Sequence, residues 1–286
     1  MSSADNRSVH GAVDLHVHTT ASDGQCSPTE VVHAALELGL TSIAITDHDT
    51  TDGIEEALAA AANTTLHVIP GVEISADIPR SEVHILGYYV AYREASFQAK
   101  LAPFRDSRLS RAQRMVAKLA RMGLPLDWNR VEEIAGAGTV GRPHVARALL
   151  ERGYVHSVDE AFDRYIHRNG PAYVERLKVS PLEAIQLILE ADGIPVLAHP
   201  LYVSHLVPEL AQHGLVGLEA YYPGYTPDET KLLLDLAAKN DLLITGGSDF
   251  HGEDVQPGKL LGGVPVPQTV VSSLKAYHQA TSPPVC

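Results

Sequence analysis

The sequence predicts an α/β protein: a largely parallel sheet of about seven strands closed into a barrel, with a helical insertion. Three observations lead there. Seven short runs rich in Val, Ile and Leu recur along the chain, and most are separated by segments with helical spacing. Histidine and carboxylate residues stand at one end of successive runs. The length, 286 residues, suits one α/β barrel of roughly 250 residues carrying an insertion.

The first run, AVDLHV at 12–17, places Val13, Leu15 and Val17 on one strand face and Asp14, His16 and the following His18 on the other, because strand side chains alternate. Helix SPTEVVHAALELG follows, with Ser27 as N-cap, Pro28 in the first turn, Glu30 closing a capping box and Gly39 as the stop. SIAITDHD at 42–49 is the second strand, and TDGIEEALAAAA predicts a helix from Thr51. LHVIPGVEI (66–74) and HILGYYV (84–90) come next. His84 begins its run instead of ending it, which suits a return hairpin. After residue 175 the alternation resumes with helix SPLEAIQLILEADG from Ser180, strand IPVLAHP (194–200), strand LVGLEAYY (215–222), helix TPDETKLLLDLAAKN from Thr226 and strand DLLITGG (241–247). Runs apolar on both faces and alternating with helices imply a parallel sheet. Residues 93–175 hold at least three helical patterns and little strand signal. The barrel is therefore expected from residues 11–92 and 176–280, with 93–175 as a helical insertion packed over the active site.

Composition narrows the class. An apolar fraction of 45% and a charged fraction of 20% are those of a soluble globular chain, and no stretch approaches the ~20 apolar residues of a membrane span. The start, MSSADNRSVHG, is polar and lacks the apolar core of a secretory signal, so a cytoplasmic address is expected. Only Cys26 and Cys286 are present, which argues against a disulfide framework. The tail TSPPVC reads as loose. A net charge of −13 makes stable binding to duplex nucleic acid unexpected, since such binding needs an excess of Lys and Arg. A crowd of acidic metal ligands would account for part of that charge.

Nine residues stand out at or near the strand ends: His16, His18, Asp23, His48, Glu73, His84, His199, Asp249 and His251. Parallel barrels gather their active-site groups at the C-terminal ends of their strands. Neutral imidazole with carboxylate suits Zn, Mn or Fe, and without a Cys pair the usual structural zinc site is excluded. One metal needs four to six donors, so nine imply two or three divalent cations. Without cations, so many buried ionisable groups would cost several kcal/mol each. His10, His33, His67, His156, His167, His213 and His278 have no such placement and read as structural or exposed. Asp14, Asp47 and Asp49 read as supports that orient ligands or cap helices.

The stretches LHVHTTASDG, TDHDT, PGVEIS, EVHILGYY, LAHP and GSDFHG resemble, in order, the motifs of the PHP (polymerase and histidinol phosphatase) family. The resemblance implies a distorted (β/α)7 barrel with a trinuclear centre, manganese or iron and sometimes zinc, that cleaves phosphate esters. It implies one metal on His16, His18, Glu73 and Asp249, and a second reached by Glu73 as a bridge and held by His84 and His199. Asp23, His48 and His251 would hold a third. Hydrolysis would then proceed by a hydroxide held between cations, with His16, His18, Glu73, His199 and Asp249 catalytic through it.

Substrate recognition must come from outside this set. GRPHVARALLERG places Arg142 and His144 just before a helix, where Arg pairs with a phosphate and free N–H groups face an anion. An ordinary helix cap is the competing reading. That stretch, and GPAYVERLKVSP around Tyr173 and Lys178, resemble the PHP subgroup of 3′,5′-nucleotide bisphosphate phosphatases, some of which trim short RNA from the 5′ end. Lys100, Arg105, Arg108, Arg111, Arg114, Lys118 and Arg121 form a basic stripe, either a solvated helix face or a wall of the pocket. Arg108 and His205 join Arg142, His144 and Lys178 as candidate substrate contacts, and Tyr221 and Tyr222 as weaker stacking candidates. The expected function is removal of the 3′-phosphate from a small 3′,5′-bisphosphate nucleotide. Alternatives are 5′-to-3′ exoribonuclease action on short RNA, histidinol phosphate hydrolysis, and a non-catalytic metal-binding module. The last would show missing ligands, and none of the nine positions departs from the pattern.

Overall fold

A computed structural model describes residues 12–281 except 80, 137 and 254. His10, the polar lead-in, Cys286 and the end of the TSPPVC tail lie outside the described residues. Seven strands form one sheet in sequential order: β1 (Val13–Val17), β2 (Ser42–Ile45), β3 (His67–Ile78), β4 (Ser81–Tyr88), β5 (Ile194–Leu197), β6 (Gly217–Tyr221) and β7 (Leu243–Gly246). The sheet curls into a nearly closed barrel. Its ends meet where the His18 N–H donates to the Phe250 carbonyl at 2.9 Å and Val17 bridges Phe250 in parallel. Strand pairs are parallel except at β4, which runs antiparallel to both β3 and β5. The β3–β4 hairpin is the return predicted from His84, and it distorts the barrel.

Helices α1 (Pro28–Glu37), α7 (Pro181–Leu189) and α9 (Pro227–Lys239) start where their Ser-Pro or Thr-Pro signals lie, each with a complete capping box. Helix α2 (Ile54–Ala61) begins three residues later than expected from Thr51. Thr50 Oγ1 accepts the Asp52 N–H and ties the intervening residues into a turn, so Gly53 becomes the N-cap. Helix α8 (Val207–Gln212) and the terminal α10 (Thr269–Thr281) complete the barrel's helices. The helical region predicted after residue 92 comprises α3 (Ala95–Arg121), α4 (Trp128–Ala135), α5 (Arg142–Glu151) and α6 (Val158–Ala161), the last running into a π-helical turn, Phe162–Ile166.

Burial divides by layer. Val13 and Leu15 pack with Ile69, Leu86, Tyr88 and Val196 and with Val270, Val271 and Leu274 of α10. Val17 joins α1 and α2, and a third cluster joins the hairpin to α7–α9. The helical region carries a core of its own around Met115, Leu119, Val131, Val145 and Leu149. Among the described residues no helix is long and apolar enough to cross a membrane.

Candidate metal centre

Carboxylates set the positions of the candidate ligands before any ion is considered. His16 on β1 and His18 just past its end have fully buried rings. Glu219 on β6 lies 3.0 Å from His16 Nδ1, so that nitrogen is the one to keep a proton when Nε2 serves as a ligand. Its other oxygen accepts the His199 N–H at 2.8 Å, so one side chain orients ligands from two strands. Asp47 accepts from Thr19 N–H at 2.8 Å, Thr19 Oγ1 at 2.7 Å and Ser22 Oγ at 2.5 Å, shaping the loop that delivers Asp23. Asp14 accepts from Ser248 N–H and Gly262 N–H, both at 2.8 Å, and from Ser248 Oγ at 2.6 Å, pinning the loop with Asp249 and His251. Asp49, His199 and Asp249 adopt positive φ of 55°, 30° and 52°. Non-glycine residues hold such backbone only where the surroundings over-determine it, at a cost of about 1–3 kcal/mol each.

Glu73 sits at the centre. Its Oε1 lies 3.3 Å from His16 Nε2, 2.9 Å from His84 Nδ1 and 3.5 Å from His199 Nε2. Its Oε2 lies 3.2 Å from His18 Nε2 and 3.0 Å from His48 Nδ1. Asp249 Oδ1 is 3.3 and 3.2 Å from the Nε2 atoms of His16 and His18. Asp23 faces His251 Nε2 at 3.4 Å, His18 Nδ1 at 3.9 Å and His48 Nε2 at 4.0 Å. Ligand atoms within 4.8 Å of one another form three groups: His16, His18, Glu73 and Asp249; His18, Asp23, His48 and His251; and His48, Glu73 and His84. The first group has the composition the resemblance implies. In the second, His18 adds its other nitrogen. In the third, His48 stands within that radius where the resemblance places His199.

The donor set fits cations. His16 Nε2, both His18 nitrogens, His48 Nδ1, Asp23 Oδ1 and both Glu73 oxygens are buried with no hydrogen-bond partner. Stranding that many polar atoms is costly unless something binds them, and imidazole with carboxylate is a Mn, Fe or Zn set. The titration of the cluster points the same way. Burial pulls the His16 imidazole down, yet Glu219, Glu73 and Asp249 hold it well above its ordinary value. Against the same burial, Asp249 and Glu73 raise His18 to about 9, whereas burial takes His48 down to about 4. Crowded carboxylates demand positive charge, as protons or as metal.

Next to this cluster lies a cavity of about 160 Å³. Its lining joins the metal-site residues Asp23, His48, His84, His199, Asp249 and His251 to Ser75, Glu82, Arg108, Arg111, Arg142 and Arg176. Arg142 Nη2 donates to Glu82 Oε2 at 3.0 Å, and Arg176 stands 3.8 Å from its Oε1. Burial opposes ionisation of Glu82, but Arg142, His84 and Arg176 hold it down at about 2. Arg108 donates through Nε to Asp49 at 2.6 Å and through Nη2 to Ser75 Oγ at 2.6 Å. The Nη2 groups of Arg111 and Arg176 are buried without a partner.

The fold does not bring all the candidate substrate contacts here. Arg108 and Arg142 line the cavity. His144 is buried and does not line it, its Nδ1 accepting the Gly141 N–H at 2.9 Å as part of the α5 cap. Lys178 is exposed, pairs with Glu175 at 3.1 Å and borders a different crevice. His205 is exposed on the 3-10 turn Pro200–Leu206, away from the lining. Tyr222 is committed to Asp249, to which its hydroxyl donates at 2.8 Å.

The basic stripe on α3 is neither a free face nor a continuous pocket wall. Lys100 pairs with Glu190, and Arg105 with Asp52 at 3.0 Å. Arg111 Nε, Arg114 Nη2 and Lys118 Nζ donate to the carbonyls of Val174, Glu175 and Tyr173, clasping that segment to the helix. Of the stripe, Arg108 and Arg111 reach the cavity.

Sequence reasoning missed Arg176, Glu82 and Glu219 as site residues and left Arg111 inside the stripe. Arg111 lies one helical turn after Arg108, a spacing that could have singled it out. Arg176 sits two residues before Lys178 in a stretch already noticed, but no local signal tells which of the two turns inward.

Known proteins extend this picture. The family model of the PHP domain matches residues 14–167. The chain is 36% identical over 245 residues to a 5′-3′ exoribonuclease of Haemophilus influenzae, covering 83% of this chain and 89% of that one. It is 31% identical over 287 residues to a 3′,5′-nucleoside bisphosphate phosphatase of Chromobacterium violaceum, covering 96% and 93%. The crystal structure of a candidate metal-dependent phosphoesterase from Bifidobacterium adolescentis superposes with a TM-score of 0.85 at 33% identity, covering 92% of this chain and 95% of that one.

Proposed function

The chain belongs to the PHP family and is a metal-dependent phosphoesterase; from that premise we propose that it removes the 3′-phosphate from nucleoside 3′,5′-bisphosphates, leaving the nucleoside 5′-monophosphate. One observation carries the reading. The same cavity that meets the metal cluster holds four arginines, two of them with buried guanidinium nitrogens that have no partner. A substrate with a single phosphate has no use for both zones, whereas a bisphosphate has one anion for each.

The nine residues His16, His18, Asp23, His48, Glu73, His84, His199, Asp249 and His251 would hold two or three cations, with manganese the metal we propose. When bound, such ions neutralise phosphate oxygens and lower the pKa of water. The rest is done by the chain. Glu219 keeps the His16 proton on Nδ1 and away from the ligand nitrogen. Arg111 and Arg176 offer donors to the second phosphate, and Arg142 and Arg108, braced by Glu82 and Asp49, supply planar forks that match its geometry. Burial and the neighbouring Arg142 lower Arg111 to about 10, which still leaves it charged at neutral pH. A cavity of about 160 Å³ is smaller than the roughly 300–1,000 Å³ of pockets that engulf whole drug-sized ligands. It takes the phosphate ends and leaves the base toward the mouth.

A second reading, release of 5′-mononucleotides from short 5′-phosphorylated RNA, is favoured by the 36% identity to an exoribonuclease. The two share one bond: water adds to phosphorus, the P–O3′ bond breaks and the nucleoside 3′-oxygen takes the proton. They differ in whether the departing phosphate carries more chain.

The test is phosphate or mononucleotide release by manganese-loaded protein from adenosine 3′,5′-bisphosphate, AMP, histidinol phosphate and a short 5′-phosphorylated RNA. Preference for the bisphosphate is expected, and turnover of histidinol phosphate alone would overturn the reading. Arg142→Ala should raise KM for the bisphosphate roughly 10–100-fold, the loss of one charge-assisted contact, with metal content unchanged. Metal loss instead would make Arg142 structural.

A further inference from the structure

Asp249 differs from Glu73 in how its two oxygens are used. Oδ1 faces His16 and His18 Nε2 at 3.3 and 3.2 Å. Oδ2 accepts from Tyr222 OH at 2.8 Å and from Lys259 Nζ at 2.5 Å. Lys259 also donates to Tyr222 OH at 2.7 Å, so lysine donates twice and the phenol passes its own proton toward the carboxylate. The triangle is closed and directional. Glu73, by contrast, has both oxygens free of hydrogen bonds.

The triangle is also rigidly mounted. Tyr222 follows β6 directly, its ring 5.5 Å from that of His199, and Lys259 Nζ lies 5.0 Å from the tyrosine ring centroid. The loop that carries Lys259 is pinned at both ends by Asp14, through Ser248 and Gly262. The Lys259 side chain is 24% exposed and that of Asp249 10%. A surface ion pair would be expected to be wetter. A carboxylate can give both oxygens to a cation or divide them. Here one oxygen is already taken by an ammonium, and any cation competing for it would meet a like charge.

We propose that Lys259 and Tyr222 are positioning residues that commit Asp249 to offering a metal one oxygen, Oδ1, and not two. The inference concerns the metal centre alone and holds whichever phosphate ester is the substrate. Its test therefore uses p-nitrophenyl phosphate, so that failure of the nucleotide reading leaves it intact.

Wild-type protein, Lys259→Met, Lys259→Arg and Tyr222→Phe are stripped, reloaded with manganese and compared by metal stoichiometry, crystal structure and kinetics. Asp249 is expected to contact manganese through Oδ1 alone in the wild type and through both oxygens in Lys259→Met. Turnover should fall roughly 10–100-fold in that variant, the usual cost of losing a group that orients a ligand, with KM changed less than threefold. Lys259→Arg should recover most of the loss, and Tyr222→Phe should show a smaller fall in the same direction. Two-oxygen ligation in the wild type overturns the proposal. So does one-oxygen ligation in Lys259→Met, or a lowered melting temperature with turnover per bound manganese unchanged. Should Lys259→Met fail to fold or load, Tyr222→Phe decides. It keeps the ammonium and the ring, and turnover equal to wild type would overturn the shared role.

Discussion

At the scale of single residues, the centre depends on groups that are not themselves among the nine. Glu219 touches His16 Nδ1 and the His199 N–H, so it decides the tautomer of one ligand and the backbone of another. Glu219→Gln puts an amide nitrogen against one of these donors. It should cost about 10–100-fold in metal affinity or turnover, read by competition with a chelator, while the melting temperature of the metal-free protein changes little. His144 shows burial acting on stability. Its ring accepts the Gly141 N–H, and burial lowers it to about 4 from the ordinary 6.5. The folded state keeps this imidazole neutral, and the unfolded chain takes up the proton below pH 6.5. The stability it contributes is thus complete above that value and is lost as pH falls toward 4. The loss is on the order of 3 kcal/mol. His144→Asn retains an acceptor for Gly141 and has nothing to titrate. Urea unfolding between pH 7 and 4.5 should show a shallower decline for the variant.

At the scale of elements, the strand ends are where close approach substitutes for side-chain bulk. Gly247 follows β7 beside β1, and a Cβ there would lie 2.4 Å from His16 N and 2.5 Å from its Cβ. Neither atom can yield without moving the strand that carries two ligands. Gly247→Ala should cost about 1–3 kcal/mol from overpacking and lower bound metal, measured by thermal unfolding and elemental analysis. Normal metal content in that variant would show that β1 can shift freely. The β3–β4 hairpin contributes differently. Strand β4 begins at Ser81, three residues before the expected start at His84, and by reversing direction it brings His84 from within the hairpin to the same place that His16, His48 and His199 reach from strand ends. A uniform parallel barrel could not do this.

At the scale of the whole molecule, two bodies with separate cores share one cavity. The helical region has its own apolar cluster and meets the barrel's polar rim through Arg108–Asp49, Arg142–Glu82 and Arg168–Asp77. The cluster on the barrel side has both Glu73 oxygens without partners, so cations should stabilise the fold as well as activate it. At a hundredfold excess over its dissociation constant, one bound ion adds about 2.7 kcal/mol. Removing metal with a chelator should therefore lower the melting temperature by roughly 5–10 °C for each such site, restored by manganese. An unchanged melting curve would mean that the stripped cluster is satisfied by protons alone.

The sequence by itself determined the α/β class, the order of seven strands, three Ser-Pro or Thr-Pro helix starts and the hairpin signalled by His84. These depend on alternation, capping and run length, which are local. It also singled out nine imidazoles and carboxylates at or near strand ends, on the reasoning that strand ends converge in that architecture. It could not choose between Arg176 and Lys178, or see that Lys118 and Arg114 are spent on backbone carbonyls. Nor could it find Glu219 or Lys259 as supports. Each of those depends on which loop crosses which helix, often between residues far apart in sequence: Glu219 acts on His16, and Lys259 on Tyr222. Only the tertiary structure decided these contacts, because a side chain's partner is set by the packing of whole elements and not by its neighbours along the chain.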